Sequence, residues 1–333
     1  MTAPGPSPTM AKAPPQRRFS FSSIVRQPLL GPLAALLLAV IVFSLITDSF
    51  LRPQNLSLIL QQSVVIGILA VGQTLVILTG GIDLSIGAVA VLGTIVMAKV
   101  AGASGAVTAL LVVLVVCAFA GLINGTLVTA LQLPPFIVTL GTFTILYSAT
   151  QLLAGSATYQ VEQGPLTFLG KTFKIGTFTT TYGVVVMLLV YVVAWYALTQ
   201  TAGGRHVYAV GGSPESARLS GIKSPRVLLS VYLITGVIAA IAAWAALGRI
   251  PNADPNAYQN ANLETITAVV IGGTSLFGGR GSVIGTLIGT LIVGVLRNGL
   301  TQAGVDNLYQ NIATGVLVIL AVTLDQVARR RNR

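Results

Sequence analysis

An isolated acidic residue is the first place where this sequence could do chemistry. Asp83 is the only charged residue in the apolar tract 53–98, within the glycine-flanked segment 80–87. A carboxylate at the bilayer centre costs roughly 2.5 to 3.5 kcal/mol on insertion scales, so Asp83 needs a partner or a position near the membrane edge. Two interpretations stay open: Asp83, with Ser85, caps a helix that begins at Leu84, or it acts directly on cargo or protons.

Uncharged polar side chains inside other apolar runs form a second candidate set. Amides and hydroxyls supply both the donors and the acceptors that a neutral hydroxylated solute needs. Alternatively, they form hydrogen bonds between helices without touching cargo. Phe136, which leads into Thr139 after two prolines, is included with them. The set is Gln73, Asn124, Phe136, Thr139, Tyr147, Gln151, Asn298, Gln302 and Asn311.

Two glycine-rich segments, 80–87 and 272–279, interrupt apolar runs in a similar way. Transporters often carry broken helices in corresponding halves, although glycine pairs also turn chains where no repeat exists. The pattern therefore suggests a repeat and predicts a gate or a cavity wall. Its candidate residues are Gly80, Gly81, Asp83, Ser85, Gly272, Gly273 and Thr274.

The basic loop 201–226 contains the pattern of a short helix. Ser213-Pro214-Glu215 supplies an N-cap, a proline at the first helical position and an early acid, and Gly221 would end the helix after two turns. Ala217 and Leu219 lie among charged residues, which favours docking on another protein. An ordinary amphipathic loop helix is the alternative.

Catalysis and metal binding have little support. His206 is the only histidine and lies in this loop, whereas Cys117, the only cysteine, lies in an apolar run. They cannot form a nucleophilic triad or a multi-histidine metal site. Segment 164–172 has five residues between its glycines, where a phosphate loop needs four. We predict no catalytic residue, metal or cofactor in this chain, so energy from ATP would have to come from another chain.

Composition indicates that the elements holding these residues lie in a membrane. The 333 residues are 54% hydrophobic and 8% charged, against roughly a quarter charged in soluble domains. The basic residues behind the net charge of +11 cluster at the ends of apolar segments. This distribution indicates membrane orientation and does not indicate nucleic-acid binding. The clusters are Lys12, Arg17, Arg18 and Arg26, then Arg205, Arg218, Lys223 and Arg226, then Arg329, Arg330, Arg331 and Arg333.

Ten apolar runs are long enough to be candidate membrane helices. The first is too long for a signal-peptide core and lacks a small-residue cleavage site, so we interpret it as a retained span. The runs are 29–47, 58–79, 84–103, 107–131, 136–155, 181–200, 227–248, 263–277, 282–300 and 309–328.

These runs predict an all-α polytopic bundle of about ten transmembrane helices with broken helices. A disordered basic tail at 1–28 and a basic tail at 329–333 flank the membrane domain 29–328, and both termini are expected in the cytoplasm. The eighth and ninth runs are short and glycine-linked, so a re-entrant or broken pair is an alternative and the number is ten plus or minus one.

Small residues recur at every fourth position of the ninth run. Such faces let helices approach closely, either within one chain or in a dimer. They are Gly281, Gly285 and Gly289, and Ser282, Thr286, Thr290 and Gly294.

Four ordered motifs give this chain a resemblance to the permease subunits of bacterial ABC importers for monosaccharides, the ribose, xylose and fructose group. The resemblance covers most of the chain from about residue 50 onward. The motifs occupy residues 78–87, 135–141, 210–222 and 268–281. Members of the family often carry Asn where this chain has Ser213, and both residues are good N-caps.

The resemblance implies a homodimer in the cytoplasmic (inner) membrane, moving a monosaccharide by alternating access. It also implies a cytoplasmic ABC ATPase that binds ATP and Mg, and an extracytoplasmic sugar-binding protein. The helix at 213–221 would be the coupling helix, meeting the ATPase through Ser213, Pro214, Glu215, Arg218 and Ser220. The alternative is an ion-coupled secondary transporter of a small polar solute, for which Asp83 is the best-placed ionisable residue.

Overall fold

The computed structural model describes residues 29–176 and 178–331, so the predicted tail 1–28 and Arg333 lie outside the described residues. Within these residues the chain is mainly helical. The helices are α1 (Leu30–Ile46), α2 (Pro53–Leu78), α3 (Ile86–Ser104), α4 (Ala106–Ala130), α5 (Pro135–Ala154), α6 (Tyr182–Gln200), α7 (Ala202–Gly212), α8 (Pro214–Leu219), α9 (Ser224–Arg249), α10 (Ala261–Ile271), α11 (Val283–Gln302) and α12 (Asn307–Arg331).

Ten of these helices coincide with the ten predicted apolar runs. Seven of them, α2, α3, α4, α5, α6, α9 and α11, are long and apolar enough to cross a membrane, while α1, α10 and the apolar part of α12 are shorter. Helices dominate because a chain in lipid must satisfy its backbone hydrogen bonds internally. The prediction of an all-α polytopic membrane protein is confirmed.

The eighth apolar run differs most from its expected length. Helix α10 ends at Ile271, so its 11 residues rise only about 16 Å, half of the roughly 30 Å hydrocarbon core. The glycine-rich segment 272–282 then leads into α11. Helix α10 is therefore too short for a full crossing, as the alternative of a broken pair expects, whereas α11 is long enough to cross.

Helix α2 is the central element of the bundle and is buried along most of its length. It packs against α9, α11, α6 and α10, and α9 in turn packs tightly against α4. A Cβ at Gly236 of α9 would overlap the Cys117 carbonyl oxygen of α4. Small residues thus allow the backbones to approach closely where no hydrophobic effect drives helices together in lipid.

The connections between spans separate into two ends. At one end, here the coupling end, the segments 79–85, 131–134, 201–226 and 272–282 lie close together: a Cβ at Gly81 would contact Pro135. At the opposite end, β1 (Tyr159–Gln160) pairs with β4 (Asn252–Ala253), and β2 (Thr172–Ile175) pairs with β3 (Phe178–Thr181). A 3₁₀-helix at Pro165–Gly170 precedes β2 and occupies the segment first compared with a phosphate loop.

Candidate functional site

The first break is the turn formed by residues 79–85 between α2 and α3, and the side chain of Asp83 stabilises it. The chain leaves α2 through Gly80, whose φ of +82° favours glycine. The carboxylate of Asp83, 3% exposed, accepts hydrogen bonds from the backbone N–H and the hydroxyl of Ser85, each at 2.7 Å. Helix α3 begins at Ile86, two residues later than predicted.

Two neighbouring helices form hydrogen bonds to this break. From α4, the Asn124 Nδ2 donates to the Ser85 hydroxyl at 2.8 Å. From α5, the Thr139 hydroxyl donates to the Ile82 carbonyl at 3.0 Å. The structure thus brings together Asp83, Ser85, Asn124 and Thr139. The side chain of Phe136 is half exposed, and only its backbone carbonyl meets this network, accepting from the Thr139 hydroxyl at 3.4 Å.

The second break, residues 272–282, is held mainly by backbone contacts. A Cβ at Gly272 would overlap the Gly285 carbonyl oxygen of α11, and the Ser275 N–H donates to the Arg280 carbonyl at 2.9 Å. Ser282 caps α11 by accepting the Ile284 N–H at 3.2 Å. The Thr274 hydroxyl is buried, and no hydrogen-bond partner for it exists among the described residues.

The two breaks meet each other and helix α7 at a junction of four glycines, Gly80, Gly211, Gly278 and Gly279. The Gly279 N–H donates to the Leu78 carbonyl at the end of α2, at 2.9 Å. A Cβ at Gly278 would lie 2.8 Å from both the Gly80 nitrogen and the Gly211 carbonyl oxygen. We call this contact the glycine junction.

Helix α7 packs on the glycine junction, where its backbone contacts the backbone of the two breaks with almost no side chain between them. A Cβ at Gly211 would overlap the Leu78 carbonyl oxygen. The Tyr208 hydroxyl donates to the Gly281 carbonyl at 3.0 Å, and burial raises the pKa of Tyr208 above its usual value. The basic loop therefore packs directly on the two broken segments, which the motifs in the sequence did not reveal.

The predicted coupling helix is α8, which follows α7 after the single residue Ser213. Its N-cap Ser213 accepts the Ser216 N–H at 3.3 Å, while Ala217 is buried and Leu219 is 78% exposed. A hollow of about 660 Å³ lies beside it, lined by Pro214, Glu215, Arg218, Gly221, Ile222, Lys223, Ser224, Pro225 and Arg226. Helix α7 itself was not predicted.

Other candidate polar residues lie apart from the glycine junction. Gln73 is fully buried in α2, and neither of its amide atoms has a hydrogen-bond partner in the described part of the chain. The Asn298 amide oxygen in α11 is likewise unpartnered there. Tyr147 and Gln151 donate to Asn256 at 3.3 and 2.8 Å.

An ion pair that was not predicted from the sequence joins α10 and α11. Arg297 donates to Glu264 at 2.5 Å, and their side chains are 52% and 8% exposed. Arg249 and Tyr258 line the same small hollow. The signal was present, because both charges lie within predicted membrane runs, where ionisable residues are costly unless paired.

Comparison with known proteins identifies the family. Residues 55–322 match the family described as "Branched-chain amino acid transport system / permease component". The fructose import permease protein FrcC of Rhizobium meliloti is 47% identical over 311 residues, 91% of this chain and 86% of that protein.

Other relatives carry related names. The ribose import permease protein RbsC of Bacillus subtilis (strain 168) is 38% identical over 318 residues, 93% of this chain and 96% of that protein. The galactose/methyl galactoside import permease protein MglC of Escherichia coli (strain K12) is 34% identical over 331 residues, 94% of this chain and 98% of that protein. No solved structure matches the chain. The chain therefore belongs to this permease-component family, which confirms the permease resemblance of its motifs.

Proposed function

We propose that this chain is the membrane-spanning subunit of an ATP-driven importer that carries a monosaccharide of the ribose, xylose and fructose kind across the cytoplasmic membrane. Its partners would be a cytoplasmic ABC ATPase, an extracytoplasmic sugar-binding protein and a second copy of the chain. The relatives named for fructose, ribose and galactose import support the substrate class. They give the ion-coupled alternative no support.

The observation that carries the proposal is the direct packing of α7, the helix that precedes α8, on the glycine junction. Glu215, Arg218 and Leu219 are exposed, and an exposed leucine among charges suits a protein partner. Movement of α8 by the ATPase would move α7 with it. Helix α7 would pass the shift to both breaks through backbone contacts, because its Gly211 lies so close to Leu78 and Gly279 that a Cβ has no room. Closely packed backbones resist gradual deformation, so they transmit such shifts by moving as rigid bodies.

The polar groups inside the bundle suit a neutral solute. The orphaned amide of Gln73 and the orphaned hydroxyl of Thr274 are costly to bury without hydrogen bonds. We propose that an alternate state of the transporter exposes them to cargo hydroxyls. The carboxylate of Asp83 is already used by Ser85, so we assign Asp83 to the support of the first break and not to proton movement.

The test is uptake of labelled ribose, xylose, fructose and galactose into proteoliposomes that hold this chain, its ATPase and its binding protein. We expect uptake of one of these sugars that requires both partners and ATP on the ATPase side. Replacing Glu215 and Arg218 together with alanine should abolish uptake by weakening ATPase binding. The matched control removes one acid and one base at the opposite end, Glu162 and Lys174, both exposed, and should keep ATPase binding.

Two outcomes would contradict the proposal. Uptake by this chain alone, driven by a proton or sodium gradient, would overturn the ATP-driven mechanism. Unchanged ATPase binding in the Glu215 and Arg218 double variant would show that α8 is not the docking helix.

A further inference from the structure

A long apolar groove lies on the side of the bundle between α6 and α9, separate from both breaks. Its volume is about 710 Å³. Aliphatic side chains form its walls, and Val193 and Ile234 remain 65% and 47% exposed, so the groove opens sideways. Residues that line it include Leu75, Val190, Val193, Ile234, Val237 and Ile241.

The polar residues of the groove lie at its coupling end. They are Thr201, His206, Arg226 and Ser230, with the first turn of α7 beside them. From Arg226 to Ile241, helix α9 rises about 22 Å, most of the roughly 30 Å hydrocarbon core. The groove is therefore an apolar slot of membrane depth with a cation at one end.

Among the described residues, no carboxylate lies within ion-pair distance of Arg226. The ion pair between Glu264 and Arg297 is the only one among the residues that the structure describes, and Arg226 is exposed. Glu215 lines the neighbouring hollow with Arg226 but lies beyond ion-pair distance. The guanidinium is thus available to an anion at the mouth of an apolar slot.

We propose that this groove binds an anionic phospholipid, with an acyl chain along α6 and α9 and the phosphate at Arg226. Basic pockets between membrane helices bind acidic headgroups in this way, and a guanidinium matches phosphate geometry through two parallel hydrogen bonds. A sugar is a poor occupant because the walls offer its hydroxyls few partners. A second copy packed here would bury Arg226 in the interface, and the groove lining contains no acidic residue that could pair with it.

The bound lipid would also support the coupling loop. Its headgroup would lie against Thr201 and the first turn of α7, the helix that seats on the glycine junction. This lipid site is independent of the transported substrate, so its test needs no transport measurement.

The experiment is native mass spectrometry of the full chain released from nanodiscs of phosphatidylcholine with phosphatidylglycerol. We expect the wild type to retain phosphatidylglycerol about fivefold over phosphatidylcholine, the preference that one arginine near the headgroup gives. Arg226→Gln should lose this preference. The matched control Lys223→Gln removes a charge from the same loop, outside the groove lining, and should keep it. Ala197→Trp, which fills the exposed groove, should lose retention of either lipid.

A preference for phosphatidylglycerol that survives Arg226→Gln would overturn the headgroup assignment. Equal retention of lipid by wild type and Ala197→Trp would overturn the groove itself. Disulfide cross-linking of Ala197→Cys between copies in membranes, in a Cys117→Ser background, would show that a second copy occupies the groove instead. Thermal unfolding of each variant in phosphatidylcholine alone checks that the protein remains folded.

Discussion

The first break and the second break turn the chain at the same end of the bundle but are held by different forces. Asp83, Ser85 and Asn124 close the first through side-chain hydrogen bonds. Glycine contacts and backbone hydrogen bonds predominate in the second, beside the side-chain hydrogen bonds of Tyr208 and Ser282. The half-length helix α10 leads into it. The difference suggests that the first break is a fixed support and that the second is the hinge that moves against it.

The largest expected effect comes from adding one methyl group at the hinge. Gly278→Ala would force a side chain between the two breaks and into a left-handed φ of +83°. Strain of about 1 to 2 kcal/mol plus overpacking of about 1 to 3 kcal/mol should lower uptake more than tenfold. Gly304→Ala is the control, because it has a similar φ of +76° and open space around it. Equal losses in both variants, measured as uptake per folded protein, would remove the hinge from the mechanism.

Removing the ion pair that anchors α10 should have the next largest effect, on the local stability of this helix. Glu264→Gln leaves Arg297 without its carboxylate, at a cost of about 2 kcal/mol, less than for a fully buried pair because Arg297 is 52% exposed. Hydrogen exchange of α10 should quicken while exchange of α3 stays unchanged. The exposed acid at Glu162 serves as the control when changed to Gln. Unaltered exchange of α10 would show that the ion pair does not anchor the hinge.

Removing the support of the first break should cost less. Asp83→Ala deletes the acceptor for both Ser85 hydrogen bonds and should lower the free energy of unfolding by about 1 to 2 kcal/mol. Asp83→Asn retains an acceptor oxygen and should keep most of the uptake. Thermal unfolding and uptake measured together check this. Loss of uptake in the Asn variant at unchanged stability would instead favour a role for Asp83 in ion movement.

The smallest effect concerns a hydrogen bond between the two helices that flank the breaks. The hydroxyls of Thr74 in α2 and Thr286 in α11 lie 2.7 Å apart and are buried. Each single change to Val should cost about 1 kcal/mol, and the double change should cost less than their sum. Thr94→Val, whose hydroxyl bonds only within α3, is the control. Full additivity would mean that the hydroxyl pair does not couple the two helices.

Much of the fold could be predicted from the sequence because lipid imposes a simple rule on span length and polarity. The length of α10 was predicted only as one of two alternatives, since the run 263–277 extends past Gly272 and Gly273, the glycine pair at which the helix stops. Helix α7 was missed because it contains Gly203, Gly204, Gly211 and Gly212, poor helix formers that tertiary contacts stabilise here.

The candidate site was predictable in parts. Its motif residues were named, but the contact of Leu78 with Gly279 joins segments about two hundred positions apart and leaves no periodic signal. Phe136 was chosen for its sequence neighbourhood to Thr139, yet only Thr139 reaches the first break. The site roles of Gln73, Thr274 and Asn298 stay predictions, with their unpartnered polar atoms as support.

Transmission of motion through the glycine junction is tested most directly in the assembled transporter that carries Gly211→Ala. The measurement is the number of sugar molecules imported per ATP hydrolysed. We expect that the ATPase still binds and hydrolyses ATP while import falls by roughly fivefold to 150-fold, the factors that correspond to about 1 to 3 kcal/mol of overpacking. Gly212→Ala, which has open space around it, should import like the wild type. Normal import per ATP in Gly211→Ala would contradict the claim that motion passes from the coupling loop to the breaks through the glycine junction.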